Sequence, residues 1–266
     1  MSRTELPPCV LSIAGSDSGS AAGIQADLKT FAACGVHGLT AITAVTAQNT
    51  REITSVRMLP PAILLAQLDA VRTDFRIAAV KIGMLGNAAN TRLVARWLRQ
   101  HRLPNIVVDP VLVASSGNRL LARSAIAVLR RELVPLARVL TPNVPEAEAL
   151  LERPIRTHAE MRTAAEDLCG LGAQGVLIKG GHLDGKQVRD YFSTDRSNLD
   201  FTHDRRDYAV RGTGCTLASA VAAGLALGLS PRAAVERAER YLQGAFLAAQ
   251  RRGRGSARIL QHDVPH

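Results

Sequence analysis

Short apolar runs, spaced by longer helical patterns, constrain this chain more than any other feature. The runs are "CVLSIA" (9–14), "LTAITAVT" (39–46), "AAVKIG" (78–83), "NIVVD" (105–109), "ARVLT" (137–141) and "GVLIKG" (175–180). Several are almost continuously apolar rather than alternating. A strand of that kind is buried on both faces, as strands inside a parallel sheet are. Between the runs, "AGIQADLKTFAACG" puts Ile24, Leu28, Phe31 and Ala32 on one helical face and ends at Gly35, a natural C-cap. "PPAILLAQLDAVRTDF" opens on prolines that suit a first turn. "TRLVARWLRQH", "LARSAIAVLRREL" and "THAEMRTAAEDLCGLG" share the helical period. Such β–α alternation implies right-handed crossovers, and therefore an α/β fold with a mostly parallel central sheet and helices on both faces. No repeat or low-complexity linker interrupts the 266 residues, so a single domain over residues 1–266 is expected.

In such sheets ligands bind beyond the carboxyl ends of the strands, so the residues just past each run are the candidates for a site. After the first comes "GSDSGSAAGIQAD", whose Gly15, Gly19 and Gly23 fit neither the dinucleotide fingerprint nor the phosphate loop. It is either a flexible connection or a place where backbone approaches a ligand. After the second come Gln48 and Asn49, a polar turn or a pair of amides able to read a heterocycle edge. "KIGML" continues the third run, and Asp109 ends the fourth. The fifth leads into "TPNVPEAEAL", where Asn143 suits an N-cap and Glu146 the first helical turn. That pair also has a functional reading, an amide and a carboxylate facing a metal-bound triphosphate. Lys179 leads the sixth run into a double-glycine turn, which is simply tight or lets the ammonium reach a phosphate.

The stretch "VRGTGCTLASAVAAGLALG" (210–228) carries no charge after Arg211. A membrane span needs about 20 apolar residues. Here glycines and hydroxyls crowd the head, and Gly228 and Pro231 stop the helix. Residues 215–227 make a helix only about 20 Å long, so a buried helix is expected. Its Gly-Thr-Gly-Cys head turns successive amides toward one point, and the helix dipole makes that point an anion site. A thiol there should have its thiolate favoured, unless Cys215 is an inert core cysteine.

The formal net charge of +10 favours anionic partners, and on charge alone a nucleic-acid-binding protein is an alternative. Only 3% of residues are aromatic, which argues against a base-stacking platform. The cluster "RRGRGSAR" (251–258) reads as a solvated tail or helix end. Cys9, Cys34, Cys169 and Cys215 form no CxxC pair; free thiols point to a reducing cytoplasm. The N-terminal apolar run is too short for a signal-peptide core.

Taken in order, "LSIAGSDSGSAAGIQADLKTFAACGVHGLTAITAVTAQNT", "KIGML", "VVDPVLV…SG", "TPNVPEAEAL", "LIKGGH" and "GTGCTLASA" resemble the hydroxymethylpyrimidine/phosphomethylpyrimidine kinases of thiamine biosynthesis. These form a branch of the ribokinase-like superfamily, and the resemblance spans roughly residues 10–250. It implies a three-layer α/β/α sandwich, a cytoplasmic homodimer without a membrane segment, and Mg2+ with ATP as co-substrate. The implied reaction phosphorylates 4-amino-5-hydroxymethyl-2-methylpyrimidine to its monophosphate and then to the diphosphate. By motif, Gly15, Asp27, Gln48 and Met84 would line the pyrimidine pocket. Asp109 and Glu146 would hold the metal, and Lys179, Thr213 and Asn143 the ATP phosphates. Gly212, Gly214 and the Cys215 amide would form the anion hole, with Cys215 the base, where related sugar kinases use Asp. Three departures stand out: Ser20 and Ala21 replace paired glycines, Arg211 replaces the usual His, and Ser115 replaces a frequent Lys. The last weighs against the second phosphorylation more than the first. A pyridoxal kinase of the same superfamily is the nearest alternative enzyme.

Overall fold

The apolar runs pair side by side. The computed structural model describes residues 6–112 and 122–264. Its main sheet consists of β1 (Cys9–Asp17), β2 (His37–Gln48), β3 (Ile53–Met58), β4 (Ile77–Ile82), β5 (Ile106–Val108), β6 (Val139–Leu140), β7 (Gly175–Ile178), β8 (Gln187–Thr194) and β9 (Asn198–Asp204). The order is β3-β2-β1-β4-β5-β6-β7-β8-β9. The six central strands, which hold the six runs, are parallel; β3 pairs antiparallel with β2, β8 with β7, and β9 with β8.

The continuous apolar character of the central strands follows from their position. Val10, Ala79, Val107, Val139 and Leu177 face one core, shared with helices α1 (Gly23–Ala33), α7 (Thr213–Ala226) and α8 (Pro231–Leu247). Their neighbours Leu11, Val80, Val108, Leu140 and Val176 face the other. That second core is covered by α2 (Pro61–Asp74), α3 (Ala88–His101), α4 (Arg123–Val128), α5 (Val144–Leu151) and α6 (His158–Gly170). Because strand side chains alternate across the sheet, both faces of each central strand must be apolar. The result is the expected three-layer α/β/α sandwich with a mostly parallel sheet.

The edge strands lack that signature. β3 has almost every residue exposed or half-exposed, and β9 alternates strictly between exposed and half-buried positions. Neither reads as a buried run. The helix after Arg211 begins at Thr213, two residues earlier than expected, because Gly212 serves as its N-cap with φ +82°. None of the described helices is long and apolar enough to cross a membrane. The arginine cluster is more than a loose tail. Gln250 bridges back to Ile259, β11 (Arg258–Ile259) pairs with β10 (Val210–Arg211), and the Gly255 amide donates to Thr50 Oγ1 at 3.0 Å.

Candidate active site

Strand ends deliver the site. Asp17 ends β1, Gln48 ends β2, and Met84, Asp109, Asn143 and Lys179 come just after β4, β5, β6 and β7. All six line one cavity of about 780 Å³, and the head of α7, Gly212 to Cys215, closes it. This is the crevice beyond the carboxyl ends of a parallel sheet.

The head of α7 is built to leave amides free. The first helical hydrogen bond runs from the Thr216 amide to the Gly212 carbonyl at 2.9 Å. The preceding amides of Thr213, Gly214 and Cys215 therefore have no acceptor within the helix. The N-cap is a glycine, so no side chain competes for them. A Cβ on Gly212 would lie 1.9 Å from the Ala21 carbonyl oxygen. A Cβ on Gly214 would lie 3.1 Å from Lys179 Nζ and 3.5 Å from Asp109 Oδ2. The ammonium and the carboxylate thus sit directly against the open helix end.

Lys179 Nζ is 3.0 Å from Asp109 Oδ1 and 3.9 Å from Glu146 Oε2. Burial works against the ammonium, but Asp109 and then Glu146 outweigh it and hold its pKa above the ordinary lysine value. Asn143 and Glu146 realise the helix-cap reading at the rim of the cavity. The Glu146 amide donates to Asn143 Oδ1 at 2.9 Å and the Asn143 amide to Glu146 Oε2 at 2.8 Å, a complete capping box. Both residues also face the cavity. Burial pushes the Glu146 carboxyl up to about 7 against the pull of Lys179, and Asp109 adds to the rise. In the unfolded chain a glutamate titrates near 4.3. Folded protein therefore holds a proton that unfolded protein releases, and this stability is lost as pH rises through about 7. Glu146→Gln keeps the box, since Gln suits the same position. Relative to wild type, its unfolding free energy should gain roughly 1–3 kcal/mol between pH 5 and pH 8. Urea unfolding of the ligand-free protein at the two pH values measures this, and parallel curves would refute it.

The first loop is organised by Asp17. Its carboxylate accepts from the amides of Gly19, Ala21 and Ala22 at 2.8, 3.1 and 2.9 Å, and from Gln48 Nε2 at 3.2 Å. The loop is thus a fixed turn rather than a flexible connection. Sequence reasoning passed over Asp17, although an aspartate two residues before a glycine is the signature of an Asx turn. Gly15 allows close packing in the same region, because a Cβ there would lie 3.1 Å from Met84 Sδ.

Gly15, Gln48, Met84, Asp109, Asn143, Glu146, Lys179, Gly212, Thr213, Gly214 and Cys215 all line the cavity, as expected by position. Asp27 does not. It is fully buried behind the wall, where Lys81 Nζ donates to both carboxylate oxygens at 2.9 and 3.0 Å and Ser219 Oγ donates at 2.8 Å. Lys81, not Asp27, borders the cavity. A lysine inside "AAVKIG" was itself a legible signal, since a buried ammonium requires a counter-ion.

The expectation for the Cys215 thiol is reversed. Burial pushes it up to about 11; Lys81 pulls it down, while Asp27 and Asp109 push it further up. Desolvation outweighs the helix end here. Ser20 and Ala21 do not narrow the cavity, as neither is among its lining residues. Ser20 instead occupies the left-handed region at φ +58°. That conformation costs a non-glycine residue roughly 1–2 kcal/mol, so Ser20→Gly should stabilise the protein by up to about 1 kcal/mol once the freer unfolded chain is counted. Thermal unfolding at matched pH tests this, and a lowered midpoint counts against it. Arg211 is buried, and its guanidinium donates to the Asn49 carbonyl at 2.6 Å, tying β10 to the turn after β2. Ser115 lies outside the described residues.

Comparison with known proteins agrees with this geometry. The family model for phosphomethylpyrimidine kinase matches residues 17–259. The hydroxymethylpyrimidine/phosphomethylpyrimidine kinase of Rhizobium meliloti (strain 1021) is 48% identical over 253 residues, covering 93% of this chain and 94% of that protein. Among solved structures, phosphomethylpyrimidine kinase from Clostridium difficile 630 superposes with a TM-score of 0.81 at 39% identity, covering 90% of this chain and 99% of that one. The pyridoxal kinase of Bacillus subtilis, solved as an ADP complex, superposes with a TM-score of 0.89 at 32% identity, covering 97% and 98%. With its strand-end ring, its glycine-capped α7 and this similarity over most of its length, the chain belongs to the phosphomethylpyrimidine kinase family.

Proposed function

We propose that the chain transfers the γ-phosphoryl group of ATP to the hydroxymethyl oxygen of 4-amino-5-hydroxymethyl-2-methylpyrimidine, and then phosphorylates the monophosphate. The observation that carries this reading is the placement of Lys179 and Asp109 against the open amides of α7, beside Cys215, in a chain of this family. Phosphoryl transfer asks a protein mainly for positioning and for stabilisation of charge on the transferring group. The amides of Thr213, Gly214 and Cys215 meet the second demand with fixed dipoles, and Lys179 adds a full charge. As the oxygen–phosphorus bond forms, the bond to the departing ADP oxygen breaks and the hydroxymethyl proton passes to Cys215 in its thiolate form, which Lys81 favours and which the raised pKa leaves a minor fraction at neutral pH. Gln48, Met84 and the backbone at Gly15 hold the ring, and the whole chain acts as one kinase domain.

Asp109 and Glu146 fit a magnesium ion by their chemistry. Both offer hard oxygen donors, and both lie within 4 Å of one ammonium, so one cation can approach the pair. Magnesium, when bound, would neutralise charge on the ATP phosphates. In the free protein Lys179 pairs with Asp109, and the raised Glu146 carboxyl is held toward its protonated form.

Cys215→Ser tests the base. Turnover should fall by about 100-fold, the low end for a lost general base, with ATP affinity little changed. An unchanged kcat removes Cys215 from that role. The TM-score against the Bacillus subtilis pyridoxal kinase keeps pyridoxal as a second substrate. A panel of the pyrimidine, its monophosphate and pyridoxal with Mg-ATP decides. Turnover of pyridoxal alone would overturn the pyrimidine reading.

A further inference from the structure

Away from the cavity, three chemistry-bearing side chains converge. Asp190 lies on β8, His203 on β9 and Glu239 on α8. The strand pairing sets Val188 opposite His203 and Asp190 opposite Phe201, so Asp190 and His203 are diagonal neighbours on one face. Glu239 reaches that face from α8. His203 Nε2 is 3.2 Å from Glu239 Oε2 and 4.0 Å from Asp190 Oδ2, and one potential ligand atom from each residue lies within 4.8 Å of the others. None of the three lines the kinase cavity.

This cluster is short of positive charge and of donors. Asp190 is 6% exposed and Glu239 only 2%. Glu239 Oε1 is buried with no hydrogen-bond partner. A buried carboxylate oxygen in that state is costly unless a donor or cation reaches it. The His203 imidazole, with Lys179 acting on Asp190 from farther off, leaves Glu239 Oε1 without a partner.

We propose that Asp190, His203 and Glu239 form a structural binding site for a divalent cation of the Zn2+ class. One imidazole nitrogen with two carboxylates is a mixed donor set suited to zinc, whereas magnesium prefers oxygen alone. Ligand atoms 3.2 and 4.0 Å apart can share one ion at zinc bond lengths of about 2.0–2.2 Å. The outer shell is partly in place, because the Gly180 amide donates to Asp190 Oδ1 at 2.7 Å and orients that carboxylate. The cation pins the β8–β9 hairpin to α8.

The test is equilibrium dialysis of the full-length protein against Zn2+ at pH 7.5, with thermal unfolding alongside and Co2+ as a spectroscopic probe. Wild type should take up one equivalent more than Glu239→Gln or His203→Asn, whose binding at this site should weaken by more than about 100-fold. Zinc should raise the wild-type midpoint and leave both variants unmoved. Kinase turnover of the variants with Mg-ATP should match wild type, showing that they fold. Cobalt should give bands of a four-coordinate nitrogen and oxygen site. Equal zinc uptake by wild type and Glu239→Gln overturns the proposal, as does a sulfur-to-cobalt band, which would place the ion on a cysteine.

Discussion

Gly212→Ala is expected to lower kcat/KM by about 1000-fold, more than Cys215→Ser. Two effects combine at this position. The φ of +82° disfavours any residue with a Cβ. The added methyl would also lie 1.9 Å from the Ala21 carbonyl oxygen, so the first loop and the start of α7 must separate. That movement re-aims the amides of Thr213, Gly214 and Cys215. Loss of one oxyanion donor alone costs roughly 100- to 1000-fold in kcat. Gly214→Ala should be milder, because its methyl meets Lys179 Nζ at 3.1 Å, the far end of a flexible side chain. Steady-state kinetics on the two variants, each checked for a folded spectrum, give the comparison. A Gly212→Ala enzyme within tenfold of wild type would show that the helix head is not the charge-stabilising element.

Lys81→Met should lower the unfolding free energy by about 3–5 kcal/mol, the usual result of stripping one partner from a buried ion pair. Lys81 and Asp27 are both fully buried, with Nζ at 2.9 Å from one carboxylate oxygen and 3.0 Å from the other. Burial alone would weaken the ammonium, but Asp27, followed by Cys215 and Asp109, holds its pKa above the ordinary value. Without Lys81 the Asp27 charge keeps, among the described residues, the hydroxyl donors Ser12 and Ser219. Adding Asp27→Asn removes that charge and should restore most of the loss, because neutral groups of similar shape tolerate burial far better. Urea unfolding of the two single variants and the double variant closes the cycle. An additive double variant would mean the pair is not coupled. Since Lys81 also pulls down the Cys215 thiol, Lys81→Met should cost turnover as well.

The fold was legible where burial is two-sided. The runs around Val10, Val80, Val107 and Val176 can exist only inside a sheet covered by helices on both faces, and helical periodicity supplied the covers. The edge strands were not legible in the same way. β3 and β9 meet solvent on at least one side, so their apolar content is low, and antiparallel pairing with a neighbour holds them in place. Positions at the strand ends were readable too. Gln48, Asp109, Asn143 and Lys179 could be singled out because a parallel sheet sends all its carboxyl ends to one rim. Asp17 and Lys81 carried signals that went unused, an Asx turn and a charge inside an apolar strand.

What the sequence determined by itself is the layer order, the rim on which a ligand sits and the glycine-capped helix that faces it. Each depends on local periodicity, turn chemistry or a helix end. What only the tertiary structure decided is the electrostatic state of the groups there. It moved Asp27 from the pocket wall to a buried partner of Lys81, gave Arg211 the Asn49 carbonyl, and raised the Cys215 thiol instead of lowering it. The reason is physical. A helix terminus acts on its own first turn and can be read from sequence. Desolvation and charge–charge coupling depend on which distant segments pack around a group, and only the folded chain brings those together.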